Sequence, residues 1–597
     1  MKLYPASLGL ITCFHLFSAL LLPVAAQDSP TSGVSASEFA KTEESPWGIC
    51  TGAEWRKDFP KVNPLLQQAG VTWLRGLAEW NGVEPKKGQW NWKFPDALVA
   101  NAREHGIHVN GTLGYAARWA TTDGSTRTVP LKNNQDWSDY CRAIMSRYQD
   151  DIDHWEVWNE FNGSFSKGGT PEIYAELVAR AHEEGKKINP DMKIGMTVAN
   201  FSVGFLDQSI KAGAKGKFDY VCVHPYENLG ALRTGGDMGF LSLAGSLRKM
   251  LRDNGEDPNM PLWITEIGVQ STIKPNAKRD AEQADLLVKC YVICLAQGFD
   301  KVFWFEARGP AYGKDTDHGL IRKNWSKRPV YHAFAKMTEI MGPVPEYLGW
   351  LDIDEGGFGF VFQGADGPVL CAWAPYQAKK AHTLGLEAGM EVLDVLGRKT
   401  AAAGRYRLAR PSVWITGLPE AMVAKAKANR DQPFPWGKDY SVESVARIFL
   451  GATNREEGIS MKKPEKTTSI VHGLDWSARR ANWSKGKEGN YMYFRVDPTF
   501  AGFGNKKLAI TVVARRDNPD KEASMSLLYE SLDGYRAVKK NGKQVRFELP
   551  PGEDWTEHTW VVDNANFVGG WGYNFRTDAN GSKSDFQVRE VRVEKLN

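Results

Sequence analysis

The run His154-Trp155-Glu156-Val157-Trp158-Asn159-Glu160 is apolar and aromatic until it closes on Asn-Glu, and it opens at once into the polar loop Phe161-Asn162-Gly163-Ser164. Large apolar residues alternating over a few positions, without a helical period, read as a buried strand. A buried strand that ends on a carboxylate is unusual, because an unpaired charge is expensive to bury. Pro261-Leu262-Trp263-Ile264-Thr265-Glu266-Ile267-Gly268 has the same build, an apolar strand with one carboxylate near its C-terminal end. Strict alternation puts Glu156 on the face of Glu160. That demands a bulge or a buried cation such as Arg75 beside it, and the sequence leaves the choice open.

Outward from these two segments, short apolar strands fall at residues 48–52, 71–77, 108–115, 154–160, 192–200, 220–226, 262–268 and 301–306. Amphipathic helical stretches separate them, for example 96–105, 137–148, 171–188 and 281–296. Eight strands alternating with helices predict an α/β fold of the (β/α)8 TIM barrel type over residues 46–342, rather than an open doubly wound sheet. No Gly-x-Gly-x-x-Gly follows the first strand, which argues against a dinucleotide site. Beyond Gly342-Pro343 the pattern changes to short strands and turns. Residues 343–420 read as a small antiparallel β domain. Residues 421–438, a basic helix-like run ending in Pro433-Phe434-Pro435, read as a semi-rigid linker. Residues 439–597 read as a C-terminal β-sandwich, jelly-roll-like.

The 597 residues carry 42% hydrophobic and 24% charged side chains and a formal net charge of +4, so no nucleic acid or other acidic partner is implied. Lys2, the apolar run 8–22 and Val24-Ala25-Ala26 predict a secretory signal peptide over residues 1–26, hence a secreted or periplasmic protein without a membrane anchor once it is cleaved. Residues 27–45 are polar and turn-rich, a flexible lead-in. Cys50, Cys141, Cys222, Cys290, Cys294 and Cys371 are scattered, without a Cys-x-x-Cys pair or a nearby zinc-spaced His, and read as buried free thiols. No cofactor or metal is implied, and the oligomeric state is not legible.

In a (β/α)8 barrel the chemistry lies at the C-terminal strand ends, where Glu160 and Glu266 fall on the fourth and seventh strands. Facing each other across the mouth, two carboxylates are the minimal equipment for cleaving a glycosidic bond. The 22 tryptophans supply flat apolar faces of the kind on which sugar rings stack. A metal-dependent barrel hydrolase is disfavoured, since no His-x-His follows the first strand.

Trp158-Asn159-Glu160, Thr265-Glu266-Ile267-Gly268, Val223-His224-Pro225-Tyr226, Gly82-Val83-Glu84-Pro85 and Gly88-Gln89-Trp90-Asn91-Trp92, in that strand context, make the chain resemble a clan-A retaining glycoside hydrolase, with family 39 and its relatives the nearest in pattern. The resemblance implies Glu160 as general acid/base, with a raised pKa, Glu266 as nucleophile and Asn159 as donor to a sugar hydroxyl. It implies His224 and Tyr226 as the pair orienting Glu266, Arg75 as a positive charge beneath the site, and Trp304 as the floor under the sugar. Phe161 stands where many relatives have proline. Tyr115 and Trp119, after the third strand, are expected to line a subsite, and Glu306 to contact substrate. The expected partner is a poly- or oligosaccharide. A transglycosylase using the same carboxylates and a non-catalytic carbohydrate-binding scaffold are the alternatives. Trp476, Trp483, Trp555, Trp560 and Trp571 offer a second carbohydrate-binding face in the last domain, against core packing as the competing role.

Overall fold

The structure, a computed structural model, describes residues 36–52, 55–76, 78–310, 315–400, 404–462, 468–473, 475–481 and 490–596. The signal-peptide segment 1–26 and Trp483 lie outside these residues. Eight parallel strands close into a barrel: β1 (Trp47–Cys50), β2 (Trp73–Arg75), β3 (His108–Leu113), β4 (His154–Val157), β5 (Lys193–Ala199), β6 (Tyr220–His224), β7 (Leu262–Ile267) and β8 (Lys301–Phe305), with β8 pairing back onto β1. The expected TIM barrel is therefore present, with every strand covered on both faces, which is why its sequence runs are continuously apolar.

The lower barrel interior is aromatic. Trp73, Tyr220, Trp263, Phe303 and Phe305 form one buried cluster with Cys50 and Cys222. Glycines make room for these rings: a Cβ on Gly48 would stand 2.6 Å from the Phe303 ring. The outer face of the barrel packs against the helices in one large core. In the described part of the lead-in, from residue 36 on, there is more order than the composition suggests. Residues Ala36–Lys41 form a helix, and Phe39 stacks on His108 of β3 at 3.9 Å between centroids. Burial pushes the His108 imidazole down to about 4. The six cysteines are buried free thiols. No helix among the described residues is long and apolar enough to cross a membrane.

After the barrel, a five-stranded antiparallel sheet spans Glu346–Trp350 to Val413–Thr416 around its own small core. Residues 421–438 are not a spacer. The helix Glu420–Asn429 lies on the strand Glu346–Trp350, and Ala426 is fully buried. Phe434 and Trp436 stack against each other and pack on Phe360, with Trp436 only 5% exposed. The apolar anchors in Pro-Phe-Pro-Trp outweigh the stiffness of its prolines. The C-terminal strands form a continuous antiparallel pairing network folded over a third core, a sandwich-like β domain.

Candidate active site

Both carboxylates reach the barrel mouth because their strands break the two-residue alternation. The expected strand 154–160 ends at Val157; Trp158 and Glu160 then adopt left-handed conformations, with φ of 65° and 50°. Such backbone costs about 1–3 kcal/mol per residue and persists only where the surroundings fix it. Here the fixing is visible. Trp158 is fully buried, its indole nitrogen donates to the Phe165 carbonyl at 3.0 Å, and its ring packs on Phe161 and Trp137. With Trp158 turned outward, Asn159 and Glu160 both face the mouth. On β7 the register against β8 shifts between Ile264 and Ile267, a bulge. It turns Glu266 inward beside Thr265, whose parity already points there.

Glu266 is held by donors alone. Tyr226 donates its hydroxyl to Oε1 at 2.8 Å, Arg75 Nη1 donates to Oε2 at 3.0 Å, and the Cys50 thiol donates to Oε2 at 3.7 Å. Burial pushes the Tyr226 phenol and the Cys50 thiol well up, and the charge of Glu266 adds to both, so each keeps its proton. Cys50, read as an inert buried thiol, is thus a neighbour of this carboxylate. Its position at the end of β1 was the available signal.

Glu156 stands on the interior face, fully buried, and the cation proves to be its answer. Arg75 binds it through Nη2 to Oε1 at 2.6 Å and Nε to Oε2 at 3.0 Å. Burial pushes the Glu156 carboxyl up, but the charge and hydrogen bonds of Arg75 override it and hold the group below the usual carboxylate range. Asn110 Nδ2 donates to the same carboxylate at 3.1 Å and Tyr220 donates to Asn110 Oδ1 at 2.9 Å. Arg75 Nη2 also donates to Asn159 Oδ1 at 2.8 Å, which leaves the Asn159 amide NH2 turned away from Arg75. A continuous polar ladder therefore climbs from the aromatic floor to Glu266.

His224 departs from its expected role. Its Nδ1 lies 3.0 Å from Glu160 Oε1 and 4.0 Å from Glu266 Oε2, so it serves Glu160, while Tyr226 alone of the two holds Glu266. Its Nε2 is 3.1 Å from Thr265 Oγ1, which orients the ring. Burial raises the Glu160 carboxyl, but the hydrogen bond and charge of His224, with Arg75 behind, more than offset that. The net direction is downward, opposite to the raised value expected of a general acid. Exchanging His224 for asparagine keeps a donor but removes the charge. The expected result is that the alkaline limb of kcat/KM moves to higher pH, because Glu160 then holds its proton longer; a pH–rate profile of the variant checks it.

Trp304 is not a sugar floor. It points outward from β8 into the helix layer, fully buried, and Phe305, one position on, faces the interior beside Tyr226. Glu306 is fully buried against Gly309 and offers substrate no surface. Tyr115 is largely buried, hydrogen-bonded to Asn159, and its ring carries the Arg127 guanidinium at 3.1 Å. Trp119 donates to the Glu84 carbonyl at 2.9 Å and packs edge-on against Trp80; no contact joins it to either carboxylate among the described residues. One oxygen of Glu160, one of Glu266 and a ring nitrogen of His224 all lie within 4.8 Å of one another.

The profile of glycosyl hydrolase family 10 matches residues 76–170, the segment that ends just past Glu160. The structure superposes on a family 39 glycoside hydrolase from the gut symbiont Bacteroides cellulosilyticus WH2 with a TM-score of 0.52 and 22% identity, over 63% of this chain and 81% of that one. The barrel is thus similar in fold to that of a family 39 glycoside hydrolase. Among curated proteins, the endo-1,4-beta-xylanase B of Humicola insolens is 27% identical over 116 residues, 19% of this chain and 32% of that protein. The chain thus spans about a third of that relative. The endo-1,4-beta-xylanase 3 of Hypocrea jecorina is 22% identical over 280 residues, 44% of this chain and 73% of it. The clan-A pattern read from the carboxylate-bearing strands agrees with these matches.

Proposed function

We propose that the protein is an exported retaining O-glycoside hydrolase that cleaves a poly- or oligosaccharide by double displacement. The observation that carries the reading is the carboxylate spacing. Oxygens of Glu160 and Glu266 within 4.8 Å suit the separation of about 5–5.5 Å used for retention, whereas an inverting pair stands about 6.5–9.5 Å apart to admit water. Glu266, fixed by Tyr226, Arg75 and Cys50, attacks the anomeric carbon while Glu160 protonates the departing oxygen. The ester formed on Glu266 is then hydrolysed by a water that Glu160, now ionised, deprotonates. Arg75 stabilises the charge on Glu266 before attack and again when it leaves. Asn159, its carbonyl tied to Arg75, turns its amide NH2 to a sugar hydroxyl.

Proton NMR of the anomeric signals during the first turnovers tests this directly. The retained anomer is expected first; the inverted anomer as first product sinks the double displacement. Xylan heads the substrate panel because the curated relatives are named for it. Glu160→Ala is expected to lose about 10²–10⁴-fold on substrates with poor leaving groups. On aryl glycosides with acidic phenols the loss is smaller in the first step, since those need little protonation, and initial rates across a leaving-group series measure it.

A further inference from the structure

Of the tryptophans in the last domain that the structure describes, three are engaged elsewhere or buried. Trp560 is 2% exposed, and Trp476 and Trp555 pack edge to face with the Arg515 guanidinium 4.4 and 4.9 Å from their ring centres. Trp571 is different. At 45% exposure it is the only Trp or Phe exposed among the described residues. One face of its indole is covered by Tyr535, stacked at 4.4 Å and 9°. No second aromatic or cationic side chain stacks on it among the described residues.

The segment Gly569–Gly572 that carries it is fixed on both sides. Within the sandwich, Gly569 N and Asn574 Nδ2 donate to Glu530 Oε2 at 2.8 and 3.0 Å, Gly570 N donates to Oε1 at 2.7 Å, and Trp571 N donates to the Tyr535 hydroxyl at 3.0 Å. On the barrel side, Asn228 Nδ2 donates to the Gly569 carbonyl at 3.0 Å. A Cβ on Gly570 would stand 3.3 Å from the Phe201 carbonyl, and one on Gly572 3.0 Å from the Glu227 carbonyl. Phe201 follows Asn200, which bridges to His224, and Glu227 follows Tyr226. The loop is therefore seated on the ends of β5 and β6, the ends that present His224 and Tyr226. Lys462 Nζ binds the Trp571 carbonyl at 3.1 Å and lies 4.0 Å from Glu227, whose side chain is more than half exposed, so polar groups rim the ring.

The geometry points to Trp571, backed by Tyr535, as a stacking platform for a sugar unit of the saccharide chain running out of the barrel mouth, a subsite supplied by the second domain. A rigid flat apolar face with a rim of hydrogen-bonding groups matches the two-sided chemistry of a pyranose, whose C–H faces are apolar and whose edge is hydroxylated. The inference rests on the hydrolase reading for the identity of the chain, and its test separates the two.

Initial rates on soluble xylan, β-glucan and galactomannan are divided by the rate on a short aryl glycoside of the same sugar. Trp571→Ala is expected to lower that ratio about tenfold, the effect of one well-packed aromatic contact, through KM. Trp571→Phe recovers part of it, and Trp555→Ala leaves it alone. An unchanged ratio in Trp571→Ala with the short substrate still turned over overturns the platform and leaves the hydrolase reading standing. Should no glycoside be turned over, the hydrolase reading fails, and electrophoresis through gels containing each polysaccharide decides the platform by itself. Retardation lost in Trp571→Ala supports it; equal mobility of the two proteins, or a slowdown that instead tracks self-association in a gel without polysaccharide, overturns it.

Discussion

Replacing Glu266 by alanine is expected to reduce turnover by about 10⁵-fold or more while leaving the fold intact, since a nucleophile that acts as part of a unit accounts for most of the unit's effect. The substitution removes a part-exposed side chain and frees Tyr226 and Arg75, both of which keep other neighbours, Arg75 through Glu156. The chemistry, rather than the rate alone, is diagnostic. Added azide enters the space the carboxylate vacated and attacks the anomeric carbon from the same side, so the glycosyl azide has inverted configuration. With Glu160→Ala, azide instead replaces water in the second displacement and the product is retained. Product configurations opposite to these would exchange the roles of the two residues, and near-normal hydrolysis by Glu266→Ala would falsify the mechanism altogether.

The second large effect falls on stability. Arg75→Met leaves Glu156 ionisable, fully buried and without its cation, a change that costs about 3–5 kcal/mol because the remaining charge is uncompensated. Combining Arg75→Met with Glu156→Leu removes both charges and is expected to recover a good part of that loss, as apolar replacement of a buried pair is often neutral. Chemical denaturation of the three proteins, followed by tryptophan fluorescence, measures the series. The stabilised double variant stays inactive, because Glu266 has lost the Arg75 donor. A single variant as stable as the wild type would show that the ladder from Tyr220 to Glu266 does not depend on its charge pair.

The barrel was legible because covered strands and amphipathic helices differ in period, and Glu160 and Glu266 because a carboxylate at the end of an apolar strand is costly without a use. What alternation could not supply was which way side chains face where alternation fails. The left-handed Trp158 and the bulge in β7 are backbone events without a glycine or proline to announce them. Phe303-Trp304-Phe305 is aromatic on both faces, as any strand between an interior and a helix layer can be, so nothing in it told that Phe305 and not Trp304 looks inward. His224 was placed at the site by its motif. Its allegiance to Glu160 depends on ring orientation, set by Thr265 from the next strand. The Arg75–Glu156 pairing was one of two solutions open from sequence, and only the packed interior shows which one the chain takes.

The junction of the two domains has a consequence for how this gene can be rearranged. Phe201, Gly204 and Gln208 after β5, and Glu227, Asn228 and Thr234 after β6, are met by Leu532, Gly569, Gly572 and Arg495 of the sandwich, with Gly204 packed against the Leu532 carbonyl and Arg495 hydrogen-bonded to Thr234. A sandwich swapped in from another protein, or a stop codon before it, would strip the rim from the barrel instead of trimming an accessory. The heritable unit is the whole assembly, and recombination that respects domain borders would still cut through these contacts.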